Sequence, residues 1–266
     1  MTRTIQETLS SNNDPSVQYV ETVEAYNKWA QVYDTDGNFL QALDTIEMRR
    51  LLPAFLDKVT NYPQPSPLKL VDLGCGTGRN TLQLLHRAPR DAHIVGLDAS
   101  PGMLDIARDA VRKATDGEQS NVALDLVDLR QTPLQLPECS RGAAAVLSTL
   151  VLEHIPLGQF FGAAAELLRP GGYLLVTNMH SEMGALSQAG FVDPVTGTKI
   201  RPTSYSHTVA ETLAAAEAAG FLVEDLDGES VRERTVDAAL AEVLGKRAAK
   251  WVGVTVWYGV CFRKKV

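Results

Sequence analysis

Leu70-Val71-Asp72-Leu73-Gly74-Cys75-Gly76-Thr77-Gly78-Arg79-Asn80 decides how the rest of the chain is read. An apolar run ends in three glycines at alternate positions, and Thr81–His86 continues with helical spacing. A near-continuous apolar run predicts a strand buried on both faces of a parallel sheet. Glycines at its end let the backbone turn sharply and approach a ligand without a Cβ in the way. The spacing is G-x-G-x-G, not the G-x-G-x-x-G that seats a pyrophosphate on a helix N-terminus.

Strand and helix then alternate. The sequence predicts a second strand over His93–Leu97 and a helix opened by Ser100-Pro101 that runs to about Ala114. Serine suits the N-cap and proline the first helical position. Further strands are predicted at Asn121–Val127, Ala143–Leu147, Tyr173–Asn178 and Phe221–Leu226. Helices are predicted at Leu157–Leu168, from the capping box Thr208–Glu211 to Ala219, and at Val236–Lys250. Trp251–Phe262 alternates as a long last strand. Repeated strand–helix units imply a doubly wound α/β fold with right-handed crossovers.

Upstream, residues 1–18 are polar and read as a mobile segment, and residues 19–62 as a cap of two helices broken near Asp34–Asn38. Asn61–Pro67 carries three alternate prolines and reads as a stiff linker. Residues 63–266 form the main domain, with 181–206 expected as a lid insertion after the fifth strand.

Ligands of open parallel sheets bind beyond the carboxyl ends of the strands. Asp98 ends the second strand, where a carboxylate can accept hydrogen bonds from both hydroxyls of a ribose. Asp128-Leu129 follows the third strand, where a carboxylate can accept from an adenine amino group; an ordinary loop aspartate is the alternative. The fourth strand leads into Leu152-Glu153-His154, and Pro170-Gly171-Gly172 precedes the fifth.

In order and spacing these five features resemble the class I S-adenosylmethionine-dependent methyltransferases over about residues 68–180. The resemblance implies a seven-stranded, mostly parallel sheet whose last strand is antiparallel. It implies S-adenosylmethionine as cofactor, with Asp72, Gly74, Cys75, Gly76 and Gly78 around its methionyl group. Asp98 and Ala99 would serve the ribose, Ser100 and Met103 the flanks of the adenosine, and Asp128 and Leu129 the adenine. Tyr26-x-x-Trp29-x-x-x-Tyr33-Asp34 is similar to an aromatic lead-in of small-molecule members, with Tyr33 toward the cofactor.

Histidine suits proton removal near neutral pH. His154 and His180 follow strands on the expected rim and are the candidate bases, with Glu153 as the alternative carboxylate or a cofactor-loop contact, whereas His86 and His93 fall away from the rim. Trp29, His154, His180, Met183, Tyr205 and His207 are the candidate acceptor-binding residues. No metal-ligand spacing is present.

The formal net charge of −7 over 266 residues argues against a nucleic-acid partner. Three dispersed cysteines, Cys75, Cys139 and Cys261, give no disulfide framework, so a reducing, cytoplasmic setting is expected. No apolar run approaches membrane-spanning length. The expected activity is methyl transfer to nitrogen or oxygen of a small molecule. An RNA or protein acceptor, or a cofactor-binding protein that transfers no methyl, are the alternatives left open.

Overall fold

The computed structural model describes residues 4–9, 17–61, 67–117 and 121–266. A short helix α1 (Ile5–Leu9) and strand β1 (Val17–Val20) precede helices α2 (Thr22–Trp29) and α3 (Phe39–Thr60). The alternating region follows: β2 (Lys69–Leu73), α4 (Arg79–Arg87), β3 (His93–Asp98), α5 (Pro101–Ala114), β4 (Val122–Leu126), β5 (Ala143–Thr149), α6 (Leu157–Leu167) and β6 (Leu168–Met179). Beyond it lie α7 (Ser181–Gly184), β7 (Phe191–Val192), β8 (Lys199–Pro202), α8 (Val209–Ala218), β9 (Phe221–Glu224), β10 (Val231–Thr235), α9 (Ala238–Leu244) and β11 (Thr255–Lys264).

The main sheet runs β4-β3-β2-β5-β6-β11. Neighbours from β4 to β6 are parallel, and β11 is antiparallel to β6. The doubly wound α/β fold with its antiparallel last strand is therefore present. The seventh position is occupied by two segments in succession. β9 pairs with Cys261–Lys264 and β10 with the earlier part of β11, so residues between them loop out of one edge strand. β10 reads Val-Arg-Glu-Arg-Thr, and its charges hide it from an apolar pattern. The helix expected over Val236–Lys250 is shorter: α9 stops at Gly245, whose φ is +86°, and a 3₁₀ turn covers Lys246–Trp251.

Successive strand residues bury on opposite faces, which is why the strands read as near-continuous apolar runs. Leu70, Ile94, Leu175 and Trp257 pack with Leu51, Leu52 and Phe55 of α3. Val71, Val95, Leu174 and Tyr258 pack with Phe160 and Phe161 of α6 on the other side. Each fully buried aromatic of this kind contributes about 1.5–3 kcal/mol.

Helix α3 is bound to the sheet by more than apolar contact. Asn38 caps it, accepting from the backbone N–H groups of Leu40 and Gln41. Asp44, fully buried, accepts from Arg79 Nη2 (2.6 Å), Thr177 Oγ1 (2.5 Å) and Trp257 Nε1 (3.0 Å). Asp34, between α2 and α3, accepts from Thr77 Oγ1 in the glycine turn at 3.0 Å. The helical cap is thus tied to the loop it overlies.

Residues 181–206 fold with the chain's beginning. β8 pairs in parallel with β1 and antiparallel with β7 in a three-stranded sheet. Trp29 stacks on Phe191 of this sheet, with centroids 5.0 Å apart. The expectation of a mobile segment over 1–18 meets regular structure in α1 and at Val17 and Gln18, which open β1. Thr4 bridges Tyr205, and Ile5 is buried in the core, because its side chain is an apolar exception in a polar stretch. Residues 1–3, 10–16 and 62–66, including most of the expected linker, lie outside the described residues. Among the described residues no helix is long and apolar enough to cross a membrane.

Candidate active site

A cleft of about 720 Å³, the open solvent at its mouth included, opens where the carboxyl ends of β2, β3 and β5 meet the cap. The glycine turn forms one wall. Gly74 holds φ +76°, and a Cβ there would stand 2.2 Å from Val151 Cγ2. No other residue fits that position. The N–H groups of Gly74 and Cys75 both donate to Leu97 O, at 2.7 and 3.0 Å. Asp98 joins the two loops: Oδ2 accepts from Gly76 N–H and Oδ1 from Ser100 N–H, each at 2.8 Å. Burial raises its carboxyl above the usual range, against the pull of these backbone bonds.

Gly74, Gly76, Asp98 and Ala99 line this cleft, as do Ser100 and Met103. Asp128, Leu129 and Tyr33 line it as well. Three expected cofactor residues do not. Asp72 lies beneath the turn, accepting from Thr81 Oγ1 at 2.6 Å, and burial lifts its carboxyl to about 6. Cys75 is buried against Gly96, and Gly78 backs onto Ala107 at the start of α4. These three shape the loop from behind.

Asp128 pairs with Arg130, whose Nη2 and Nε lie 3.0 and 3.1 Å from its two oxygens. Burial raises the Asp128 carboxyl, but the Arg130 hydrogen bonds outweigh it and hold the group below its ordinary value. Arg130 was not singled out in the sequence, nor was Thr22. Thr22 lines the same cleft, and its Oγ1 is buried without a hydrogen-bond partner. Helix α2 is docked here by Asn27 Oδ1, which accepts from Ser100 Oγ (2.7 Å) and Gly102 N–H (3.0 Å).

A second chamber, about 1100 Å³ with the open solvent at its mouth included, adjoins the first along Tyr26, Tyr33 and Leu150, which line both spaces. Leu150 has φ +57°, a conformation that costs a non-glycine residue about 1–2 kcal/mol. Its N–H is held by Thr177 O at 2.9 Å. Trp29 and Met183 line this chamber, and so does Glu153, whose carboxyl burial raises to about 7.

The histidines depart from expectation. His154 lines the first cleft, but both ring nitrogens are engaged. Thr203 O, 2.9 Å from Nδ1, can only accept, so Nδ1 carries the proton and Nε2 accepts from Tyr26 Oη at 2.7 Å. Burial pushes His154 down to about 4 and keeps the ring neutral. His180 lines neither space. Its Nδ1 accepts from Glu182 N–H, capping α7, and Nε2 lies 3.1 Å from Glu233 Oε1. His207 and Tyr205 also line neither. His207 Nε2 donates to Ile155 O, its ring stacks on Tyr205, and Tyr205 N–H donates to Glu153 O. These residues brace the loop after β5 because strand order places a residue on the rim without setting its direction.

The first cleft fits an adenosyl sulfonium. A glycine wall that a Cβ would obstruct, a buried carboxylate, the apolar Leu97, Met103 and Leu129, and an unpartnered hydroxyl at Thr22 supply main-chain, polar and apolar surfaces. Among the described residues no group of three His, Cys, Asp or Glu is placed to hold a metal ion.

A methyltransferase-domain family model matches residues 70–172. The chain is 56% identical over 268 residues to an uncharacterized methyltransferase of Emericella nidulans, covering 95% of this chain and 94% of that protein. It is 32% identical over 188 residues to trans-aconitate 2-methyltransferase of Methylobacterium radiotolerans, covering 64% and 66%. An S-adenosylmethionine-dependent methyltransferase structure from Mesorhizobium loti shares the fold with a TM-score of 0.55 at 22% identity, over 79% of this chain and 98% of that one. The chain belongs to the class I S-adenosylmethionine-dependent methyltransferases, and S-adenosylmethionine is its cofactor.

Proposed function

We propose that the protein methylates a nitrogen or oxygen of a small molecule held in the second chamber. The single observation that carries this reading is the shared lining: Tyr26, Tyr33 and Leu150 border both the cofactor cleft and a second, lid-covered space, so the two adjoin. S-adenosylmethionine, when bound, supplies a methyl group already activated on a sulfonium. The chain's own residues then position the partners and exclude water, which is where most of the acceleration in such a displacement arises. Asp98 would accept from the ribose hydroxyls, and Gly74 and Gly76 would present main chain to the methionyl group. Asp72, Cys75 and Gly78 would hold that turn. Met103 and Leu129 would cover the adenine, with Asp128 at its polar edge.

Support for a small acceptor comes from the lid built over Trp29, from the acidic balance of the chain, and from a relative named for a small organic acid. The test is incubation with S-adenosylmethionine carrying a tritiated methyl, alongside cell extract separated by size. Label in the small-molecule fraction is expected. Label confined to RNA or protein would refute the proposal, and failure of S-adenosylhomocysteine to bind in calorimetry would refute the cofactor assignment.

A further inference from the structure

Three side chains that line the second chamber each carry a buried polar atom without a hydrogen-bond partner: Glu153 Oε2, Gln188 Oε1 and Trp251 Nε1. All three residues are more than nine-tenths buried, with 3%, 6% and 3% of their surface exposed. Buried polar groups are hydrogen-bonded in the great majority of native structures, so three such atoms on side chains around one space need an explanation. They are held in place from outside the chamber. Gln188 Nε2 donates to Pro202 O at 3.1 Å, and the Glu153 backbone is bound on both sides, by Asn178 Oδ1 and Tyr205 N–H.

Their chemistry is polarised. Glu153 and Gln188 offer oxygens that accept a hydrogen bond. Trp251 offers an N–H, and the turn that carries it brings Lys246, Arg247 and Lys250 to the same chamber. Arg247 is engaged by Asp36 O at 2.6 Å, and Lys250 lies over the Trp251 ring at 4.9 Å. Lys246 and Lys250 have no carboxylate partner among the described residues. Phe39, Leu40, Met179 and Met183 supply apolar wall.

We propose that the acceptor is a small, apolar-bodied carboxylate with a hydroxyl or amino group at its other end. The carboxylate sits at Trp251 Nε1–H with Lys246 and Lys250, and the hydroxyl or amine sits at Glu153 and Gln188. This rests on the second chamber being the acceptor site.

The experiment is calorimetric titration of protein saturated with S-adenosylhomocysteine. The probes are 6-hydroxyhexanoate, 6-aminohexanoate and 4-hydroxyphenylacetate, each against its methyl ester. At least one acid binds, and its ester binds at least about tenfold more weakly, the scale of one lost charge-assisted contact. The double variant Lys246→Glu/Lys250→Glu loses about tenfold or more for the acid and little for the ester, and Trp251→Phe and Glu153→Gln each weaken the acid. Esters binding as well as acids, charge reversal without effect, or no probe binding to the saturated protein would overturn the proposal. Loss of S-adenosylhomocysteine binding itself would count against the cofactor cleft instead, so the two failures are separable.

Discussion

Replacing Gly74 by alanine tests the cofactor wall directly. At φ +76° an L-residue costs about 1–2 kcal/mol relative to glycine. The new Cβ would also stand 2.2 Å from Val151 Cγ2 and 3.1 Å from Cγ1, so the loop after β5 must shift. Overpacking of this sort costs about 1–3 kcal/mol. Together the change removes about 2–5 kcal/mol, which for a chain of this size lowers Tm by roughly 5–15 °C. Affinity for S-adenosylhomocysteine falls at least about tenfold, because the shifted segment includes Leu150 and Val151, which line the cleft. The double variant Gly74→Ala/Val151→Ala removes the steric part and keeps the backbone part. It should therefore be more stable than the sum of the single changes by about 1–3 kcal/mol. Urea denaturation of the four proteins and calorimetry with S-adenosylhomocysteine supply the numbers. A Gly74→Ala protein melting with the parent, or strict additivity with Val151→Ala, would show that the two loops do not meet as described.

Asp98→Ala should weaken S-adenosylhomocysteine binding by about 1–3 kcal/mol, the scale of lost charge-assisted hydrogen bonds, and an unchanged Kd would remove the ribose role. Asp44→Ala leaves the Trp257 N–H unpartnered in the core and takes the carboxylate from Arg79, which keeps Thr45 and Thr149, so a loss of about 1–3 kcal/mol is expected in denaturation; an unchanged midpoint would mean the cap is not anchored there. Glu153→Gln removes a pH dependence of stability whose direction follows from burial. The Glu153 carboxyl is raised by burial from 4.5 to about 7, so its favourable contribution is complete below about pH 4.5 and is lost as pH rises through 7. The variant should match the parent's stability at about pH 4.5 and exceed it by about 3 kcal/mol above pH 7.5; a gap independent of pH would refute the buried, unpartnered carboxyl.

What the sequence made legible was local chemistry. The glycine turn, the Ser100-Pro101 start and the Thr208 capping box each follow from one backbone requirement met by a few residue types. Asp98 differs from the rim histidines in being the last residue of β3 itself, so the alternation of the strand sets its facing. Edge strand β10 was not legible, since its partner on β11, and not its own pattern, makes it a strand. Thr22 reaches the cleft by tertiary placement, and Arg130 through its local hydrogen bonds to Asp128.

Glu153 and His154 show the limit most clearly. They are neighbours in one 3₁₀ turn, and the turn sends His154 to the cofactor cleft and Glu153 to the second chamber. Residue type alone ranks the imidazole as the group that titrates near neutrality. Burial acts on the two in opposite senses, because it disfavours the charged form of each. The imidazole is driven down to about 4 and the carboxyl up to about 7, so their order is exchanged. Tyr26 then fills the remaining acceptor site of the imidazole, while Glu153 Oε2 keeps an open one. Beside the second chamber burial thus brings the carboxyl nearer neutrality than the imidazole, an ordering that depends on which side of a single turn each side chain leaves.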